Sequence, residues 1–443
     1  MPSLPDRASR KLILWACCES FPSCSALCSL ATTFFASTPR HGDIRKAWAA
    51  CDPLLKDETD LPMKITGVRT IPYQLTMQRP IGDANNPAGS DQMPGLAVFI
   101  DTDEGITGIS MGGGREMVHT LVDGLLLGQD PRGVVGHWNR MVDHVFKSGN
   151  RGINTAAIAA IDTALWDLKA RINNEPLWQT LGASCNRVRA YASGIDLCLS
   201  DDEICTFYTR MAAKGVCGGK LKIGLDLDSD LRRIGIMHDA LATSGKRPEL
   251  CIDVNEYWSP KQTIRYMHVI EQAFDITWIE EPARRWDADG LRRVSDNVRA
   301  AVASGENLDS LEEFVPLLSG RAIDVVNVGV RSGGITGAAK IAVLADAHQT
   351  PVSMMNCAAN FMAHVAATLP NHIMMEVLDN GRDSVLTHTP DIEDGWIVLS
   401  DRPGLGFTFD EDRLQACAVG GPGSRFGWGR RQGAGLYLLG DDD

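Results

Sequence analysis

The second half of the chain alternates short apolar runs with helical stretches, and this rhythm limits the possible folds more than any other feature of the sequence. The runs recur at intervals of roughly 25–30 residues, which is the length of one strand, one helix and their loops. Because a helix between two strands returns the chain to the same end of a sheet, the strands are predicted to be parallel. The apolar runs are residues 219–223, 250–254, 276–279, 325–328 and 352–355.

One run after another ends in a polar or charged residue. In a parallel barrel the C-terminal ends of the strands form one face, and barrel enzymes carry their catalytic groups on that face. We therefore predict an α/β fold in which residues 184–379 form a TIM-like barrel with a functional site at the strand ends.

Residues 63–183 follow a different pattern and are predicted to form a separate α+β part. A strand begins at Met63, and the apolar segments within residues 97–108 are separated by glycines, which indicates a hairpin. The polar residues 79–94 are predicted to be a loop. Between residues 153 and 170 apolar side chains recur at helical spacing, which predicts a well-buried helix.

The two ends of the chain differ from the rest. Residues 1–62 contain an apolar stretch interrupted by Glu19 and Pro22, which favours an unstructured extension or a targeting segment over a membrane-spanning helix. Residues 380–419 are expected to return to the α+β part. The Gly- and Arg-rich residues 420–443 are expected to be disordered.

Composition excludes several classes of function. The net charge of -13 argues against nucleic acid or an anionic membrane as a partner, because both favour proteins with an excess of Lys and Arg. No pair of cysteines has the C-x-x-C spacing of a zinc module. Isolated thiols in a chain of enzyme size predict a reduced, cytoplasmic protein. The expected partner is therefore a small molecule.

Lys220 and Lys222 lie at the end of one apolar run. Alternate residues of a strand point the same way, so both ammonium groups are predicted to share one face. Two neighbouring cations disfavour each other's charge, which lowers their pKa values and makes one lysine a usable base near neutral pH.

Three carboxylates follow at the spacing of one strand–helix unit each. Asp253, Glu280 and Glu306 are separated by 27 and 26 residues. Successive strands would therefore bring the three side chains to neighbouring points on one rim. Three hard oxygen ligands that leave room for water and substrate suit Mg²⁺ better than zinc or calcium.

The ordered motifs resemble those of the mandelate racemase-like subgroup of the enolase superfamily. They are K-L-K-I-G from Lys220, D-V-N from Asp253, W-I-E-E-P from Trp278 and G-E-N from Gly305, and the likeness extends over about residues 63–379. The resemblance implies a (β/α)7β barrel beneath an α+β capping domain.

The resemblance also implies roles for individual residues. Asp253, Glu280 and Glu306 would bind Mg²⁺, Lys222 would be the base that removes the proton next to a carboxylate, and Lys220 would lower the pKa of Lys222. Three further side chains would orient ligands or substrate: Asn255, Glu281 and Asn307. Glu376, in the segment that resembles the final strand, would hydrogen-bond the substrate carboxylate.

The chain departs from racemase-type relatives, which carry a second base formed by a His and an Asp on later strands. Counting back from Gly333 places Val328 at the Asp position, and Asn356 or Met355 stands in for the His. Exchange of a proton between two faces needs two bases, so racemisation is disfavoured. A single lysine can remove the α-proton and return it to a departing β-hydroxyl group.

We therefore expect an Mg²⁺-dependent hydro-lyase that converts a sugar acid or another hydroxy acid to a 2-keto acid. The alternatives are a racemase, epimerase or cycloisomerase on the same scaffold, and a catalytically silent barrel that only binds an acid. Arg79 and Asn85, in the polar loop, are candidate contacts to substrate hydroxyls, and Arg331 either faces the substrate or caps a strand. A homo-oligomer is expected.

Overall fold

The centre of the molecule is a closed barrel of eight parallel strands. The computed structural model describes residues 63–420, so the expectations for residues 1–62 and 421–443 lie outside the described part. Each barrel strand pairs in parallel with the next, and the last pairs with the first through Met375 and Ala190. The barrel strands are β4 (Arg187–Ser193), β5 (Gly218–Lys222), β6 (Glu249–Asp253), β7 (Ile276–Glu280), β8 (Ala301–Ser304), β9 (Val325–Val328), β10 (Val352–Met354) and β11 (His372–Val377).

Seven of these strands are each followed by a helix, and β11 is followed by a short strand. This is the predicted (β/α)7β arrangement, and the predicted fold class is confirmed. The crossover helices are α5 (Asp201–Ala213), α6 (Leu227–Ala242), α7 (Pro260–Ala273), α8 (Ala288–Ser295), α9 (Leu311–Ser319), α10 (Gly334–Ala347) and α11 (Ala363–Ala366).

Alternation along the strands separates two sets of side chains. One set packs outward against the helices, and Leu221 and Ile252 belong to it. The other set fills the barrel. Its apolar members form a layer, the apolar plug, below the polar residues at the strand ends. Its buried members are Tyr191, Cys251, Trp278, Ala303, Val325 and Met374. The plug closes the barrel below, so the polar side chains at the strand ends can be reached only from the C-terminal side of the strands.

An antiparallel sheet and four helices precede the barrel. The elements are β1 (Ile65–Asp83), β2 (Asn86–Thr102), β3 (Thr107–Met111), α1 (Arg115–Leu121), α2 (Val134–Val145), α3 (Ile153–Ile172) and α4 (Leu177–Thr180), with a π-helical turn, Val122–Leu126, after α1. The later elements are β12 (Leu386–Thr387), β13 (Asp391–Glu393), β14 (Trp396–Val398), β15 (Thr408–Phe409) and α12 (Glu411–Ala416). Beyond α12, the Val419 amide donates to the Pro72 carbonyl of β1 at 3.0 Å.

The prediction of a loop at residues 79–94 was wrong, because this segment is the tip of the long β1–β2 hairpin. Pairing of the two strands continues from Ile65 to Asp83, with irregular register near Ile81. The Asp83 carboxylate accepts hydrogen bonds from the amides of Asn85 and Asn86 at 2.7 and 3.1 Å, which closes the turn. Such an Asx turn allows a polar, Pro-containing segment to complete a hairpin.

The predicted buried helix is α3, and two of its aspartates hold other elements in place. Asp162 accepts hydrogen bonds from the Thr336 amide and hydroxyl, at 2.8 and 2.6 Å, and so caps the N-terminus of α10. Asp167 accepts the amides of Ile109 and Leu405 at 2.8 and 2.7 Å. Both carboxylates are fully buried. Through their hydrogen bonds the sheet, the barrel helix α10 and the C-terminal segment meet on this one helix.

Candidate metal and acid–base site

Three carboxylates meet at the C-terminal ends of neighbouring barrel strands. Asp253 ends β6, Glu280 ends β7, and Glu306 lies two residues after β8. One oxygen from each lies within 4.8 Å of the others. The spacing of one strand–helix unit per carboxylate has therefore brought the three side chains together, as the sequence predicted.

The chemistry of this cluster fits a small divalent cation. The Oε2 atom of Glu280 is buried and has no hydrogen-bond partner within residues 63–420. Burial raises the pKa of Glu280 well above its usual value and also raises that of Glu306, and the neighbouring carboxylates add to both effects. Hard oxygens that repel one another need positive charge between them, which Mg²⁺ supplies.

Lys220 and Lys222 share the inward face of β5, as predicted. The Nζ atom of Lys220 lies 2.6 Å from Glu280 Oε1, and Lys222 Nζ lies 2.5 Å from Asp253 Oδ2. Lys220 Nζ also lies 3.1 Å from Glu376 Oε1 and 3.3 Å from Asp253 Oδ2.

The expected direction of the lysine pKa shifts was wrong for the protein's own groups. Burial is the largest influence on Lys222 and lowers its pKa, as does the charge of Lys220. The carboxylates of Asp253, Glu306 and Glu280 together outweigh both, and the net shift is upward. The pKa of Lys220 is also raised, because Glu280 and Glu376 outweigh its burial. Spacing along β5 shows that two lysines meet but not how many carboxylates surround them.

The charges of the cluster identify what is needed to balance it. Four carboxylates (Asp253, Glu280, Glu306 and Glu376) face two ammonium groups, so the formal charge with all groups ionised is -2. A divalent cation offsets this charge better than a monovalent one, and the buried Glu281 beside Glu306 adds further negative charge.

The side chains next to the triad are held in place by hydrogen bonds. The Asn307 amide donates to Glu281 Oε1 at 2.8 Å and to Glu306 Oε1 at 3.3 Å. Glu281 adopts a left-handed backbone conformation with φ of 46°. Non-glycine residues rarely adopt this conformation, and where they do they are concentrated at functional sites whose surroundings hold them in place. The Asp253 side chain is held in the same way, because its Oδ1 atom accepts a hydrogen bond from the backbone amide of Asn255 at 2.8 Å.

Glu376 on β11 is hydrogen-bonded to Asn356, which follows β10, and through Asn356 it is linked to Arg382, which follows β11. The Oε2 atom of Glu376 accepts hydrogen bonds from Asn356 Nδ2 at 2.5 Å and from the Asn356 backbone amide at 3.1 Å. The carbonyl oxygen of Asn356 in turn accepts from Arg382 Nη1 at 2.6 Å. Lys220 and Lys222 oppose the effect of burial on Glu376 and lower its pKa to about 2, so Glu376 is an anion.

Sequence reasoning missed Arg382. It lies in the segment after the last barrel strand, 26 residues beyond Asn356, and no motif or spacing connects the two. Its guanidinium is buried and also donates to the Cys357 carbonyl. The position of Arg382 shortly after the last predicted strand was the only signal in the sequence.

The expected positions of a second base carry no titratable side chain. Val328 packs into the core between barrel and helices, so its side chain does not face the cavity. Met355 is buried, with its sulfur 4.0 Å from the Tyr191 hydroxyl. Asn356 therefore occupies the rim where the histidine of a racemase-type relative would be expected.

The capping hairpin reaches the barrel through Arg79 and Asn85. Arg79 donates to the carbonyls of Gly194 and Leu378, the latter at 2.9 Å, and its guanidinium lies 4.6 Å from the centre of the Phe207 ring. The side-chain amide of Asn85 donates to the backbone carbonyl of Asn255 at 2.9 Å.

The candidate substrate contacts differ in whether their polar atoms already have hydrogen-bond partners. The Nη atoms of Arg79 donate to backbone carbonyls. The Oδ1 atoms of Asn85 and Asn255 are buried without a hydrogen-bond partner in the described part of the chain. Arg331 is exposed after β9, and its location does not bring it into the carboxylate and lysine cluster.

Comparison with known proteins places this architecture. The fold and the capping domain are those of enolase-like TIM-barrel proteins. Residues 204–413 match the family description "Enolase C-terminal domain-like", and residues 67–182 match "Mandelate racemase / muconate lactonizing enzyme, N-terminal domain". The chain belongs to the mandelate racemase/muconate lactonizing enzyme family of the enolase superfamily, and the predicted family is confirmed.

The relatives are enzymes that act on several acids. The chain is 31% identical to the 3,6-anhydro-alpha-L-galactonate cycloisomerase of Streptomyces coelicolor, over 80% of this chain and 100% of that protein. A crystal structure of a racemase from Streptomyces coelicolor with bound magnesium superimposes with a TM-score of 0.73, at 30% identity, covering 80% of this chain and 100% of that one.

A third relative was solved with both a metal and an acid analogue. It is the L-talarate/galactarate dehydratase of Salmonella typhimurium, liganded with Mg and L-lyxarohydroxamate, with a TM-score of 0.73 and 26% identity, covering 82% of this chain and 95% of that one. The prediction of Mg²⁺ as cofactor is confirmed by these Mg-containing relatives. Within residues 63–420, no helix combines the length and apolar character needed to cross a membrane.

Proposed function

We propose that this protein dehydrates a sugar acid to a 2-keto acid in an Mg²⁺-dependent reaction with Lys222 as its one proton-transfer group. The observation that carries the proposal is the asymmetry of the cavity. A lysine pair lies beside the carboxylate triad on one side, and Asn356 occupies the rim where a second base would be needed.

The proposed residues have complementary tasks. Asp253, Glu280 and Glu306 would hold Mg²⁺, which supplies positive charge to the substrate carboxylate as negative charge develops on it. Asn307 fixes the orientation of Glu306 and Glu281 through its two hydrogen bonds. The apolar plug below the site keeps bulk water from the carboxylates, which strengthens every charge interaction there.

One lysine can perform both proton transfers of a dehydration. The Asp253 carboxylate raises the pKa of Lys222, and its engagement with a bound cation would favour the neutral amine. The neutral amine of Lys222 would accept the proton from the carbon next to the carboxylate, and an enediolate would form. The same group, now an ammonium, gives the proton to the β-hydroxyl as the carbon–oxygen bond breaks. Water leaves, and the resulting enol becomes a 2-keto acid, so atoms and charge balance.

Unpartnered hydrogen-bond acceptors near the tip of the β1–β2 hairpin favour a substrate with several hydroxyl groups. The buried Oδ1 atoms of Asn85 and Asn255 are hydrogen-bond acceptors without partners among residues 63–420. Buried acceptors of this kind are costly unless a donor meets them. Substrate hydroxyl groups would donate to them, and the dehydratase from Salmonella typhimurium binds an analogue of such an acid.

Ring opening is a second candidate, favoured by the full-length match to the Streptomyces coelicolor cycloisomerase. If the β-oxygen of the substrate is part of a ring, the same two proton transfers open the ring without loss of water. The one-lysine arrangement serves this reaction equally well. Racemisation is disfavoured, because it needs a base on the second face, although the Streptomyces coelicolor structure that matches over its full length is described as a racemase.

The test is an assay of the full chain with Mg²⁺ against a panel of sugar acids and anhydro-sugar acids. Product is measured as 2-keto acid, and mass spectrometry distinguishes loss of one water from an unchanged mass. We expect 2-keto acid that disappears with a chelator and in the Lys222→Ala variant, while that variant still binds Mg²⁺ in calorimetry.

Each result has one meaning. Loss of water supports dehydration, and unchanged mass with a new keto group supports ring opening. Full activity of Lys222→Ala would overturn the assignment of the base. Absence of any keto product, combined with absence of α-proton exchange in D₂O, would overturn the proposed reaction altogether and favour an acid-binding barrel.

A further inference from the structure

Glu376, Asn356 and Arg382 form a continuous chain of polar groups on one wall of the cavity. Asn356 stands in the middle, with its Nδ2 atom 2.5 Å from Glu376 and its Oδ1 atom 2.6 Å from Arg382 Nη1. Glu376 and Arg382 are buried, with 1% and 7% of their surface exposed, whereas Asn356 is half-buried at the rim. The half-buried amide is thus the member of the chain that a bound acid can meet.

The orientation of the Asn356 amide follows from the chemistry of its two neighbours. A guanidinium has only donors, so it must face the amide oxygen. An ionised carboxylate has only acceptors, so Glu376 must face the amide nitrogen. The usual ambiguity between the oxygen and nitrogen of an asparagine side chain is therefore removed by Arg382 and Glu376 together.

This orientation has a consequence for the side of the cavity that faces Lys222. Two strands, β11 and β4, lie between β10 and β5 on one side of the barrel and four on the other, so Asn356 and Lys222 stand on nearly opposite walls. The Asn356 oxygen is engaged by Arg382, and the nitrogen retains a second N–H. On this wall, Asn356 can therefore donate a hydrogen bond to a bound acid but cannot act as a base.

The arrangement reverses the polarity of an Asp–His pair. An aspartate behind a histidine accepts one N–H and leaves the other ring nitrogen free to take a proton. An arginine behind an asparagine donates to the oxygen and leaves an N–H directed away from it. The support behind the rim residue thus decides whether that residue acts as an acceptor or a donor.

We propose that Arg382 is a positioning residue that holds Asn356 as a hydrogen-bond donor, and that the site therefore selects acids with an oxygen acceptor on the face opposite Lys222. The oxygen would belong to a hydroxyl, a ring ether or a second carboxylate. This inference rests on the proposed proton abstraction by Lys222, and it adds the residue that sets the character of the second wall.

A double-mutant cycle tests whether Arg382 acts through Asn356. The variants are Arg382→Met, Asn356→Ala and their combination, and the matched control is Arg293→Met, which removes an exposed arginine on α8. The assay uses the Mg²⁺-loaded full chain with galactarate first, and otherwise with the acid that the wild-type protein converts in the panel. Each single variant is expected to lower kcat about 10–100-fold, and the double variant no further than either one.

Two additional variants separate positioning from packing. Arg382→Lys keeps a donor for Asn356 and is expected to recover most of the activity lost in Arg382→Met. Asn356→Asp keeps the shape and the acceptor for Arg382 but removes the donor and places a second carboxylate beside Glu376, so we expect a loss at least as large as in Asn356→Ala. This last variant leaves Arg382 in place, so retained activity in it counts against the inference even where Arg382→Met does not fold. Calorimetric Mg²⁺ binding checks that each variant retains its site.

The inference is overturned if the losses of the two single variants multiply in the double variant, or if Asn356→Asp retains wild-type activity. Failure of the proposed function is distinct, because it would appear in the wild-type protein as absence of any product before a variant is made, and the inference would then fall with it.

Discussion

Removal of Lys220 should lower the free energy of unfolding in the absence of metal. It should also increase the stabilisation that Mg²⁺ provides. Lys220 is 1% exposed and contacts three carboxylates at 2.6, 3.1 and 3.3 Å. The Lys220→Met substitution keeps much of the side-chain volume but changes the formal charge of the cluster from -2 to -3. Removal of one partner from a buried ion pair costs about 3–5 kcal/mol, because the remaining charges lose their compensation.

Mg²⁺ should reverse much of this loss. A cation at 1,000 times its dissociation constant stabilises the folded state by about 4 kcal/mol, and its affinity rises when a competing ammonium group is removed. The measurement is urea unfolding near neutral pH with EDTA and with saturating Mg²⁺. We expect a loss of about 3–5 kcal/mol in EDTA and a stabilisation by Mg²⁺ that exceeds that of the wild-type protein.

The control is Lys261→Met, which removes an exposed lysine on α7 and should change neither quantity. A Lys220→Met protein that is as stable in EDTA as the wild type would show that Lys220 does not compensate the carboxylates. An Mg²⁺ response smaller than that of the wild type would show that the lysine assists the cation rather than competes with it. Either result would refute the charge balance described above.

Two further substitutions test other parts of the structure. Glu306→Gln should weaken Mg²⁺ binding by at least about tenfold in calorimetry, since a metal ligand loses its charge; Glu312→Gln, on the exposed face of α9, is its control, and equal affinities would contradict the triad. Burial raises the pKa of Asp162 to about 7, so the folded protein holds this proton more tightly than the unfolded chain does. Its contribution to the free energy of unfolding should therefore fall as pH rises from about 4 to about 7, by up to about 1.4 kcal/mol per pH unit, and Asp162→Asn should remove that slope in urea unfolding across this range. An unchanged slope in the variant would assign the pH dependence to another group.

The barrel was predictable because its strands are short, apolar and regularly spaced. The predicted run at residues 325–328 coincides with β9. The runs for β7 and β10 differ from their strands by one residue at one end, and those for β5 and β6 are displaced by one residue. A polar residue at a strand end has one physical meaning in a parallel barrel, so Asp253 and Glu280 could be placed on a common rim from their spacing alone.

Other features depend on contacts that sequence spacing does not encode. The hairpin tip looks like a loop because its polar side chains and prolines obscure the alternation of a strand, and the Asp83 turn that closes it is evident only in three dimensions. The pKa shift of Lys222 depends on the Asp253 carboxylate from another strand at 2.5 Å. Arg382 reaches Asn356 across two loops, and neither residue alone indicates the other.

The β1–β2 hairpin is hydrogen-bonded to the segment after β11 that carries Arg382. The backbone amide of Gln78 in β1 donates to the Asn380 carbonyl at 2.9 Å, and the Arg79 guanidinium donates to the Leu378 carbonyl at 2.9 Å. A side chain at Gly381 would collide with Gln78, so the two segments fit each other closely. In a chimera that joins this cap to the barrel of a relative, residues 378–382 must accompany residues 78–79. A graft that separates them would exchange the hairpin tip and misplace Arg382, which holds Asn356.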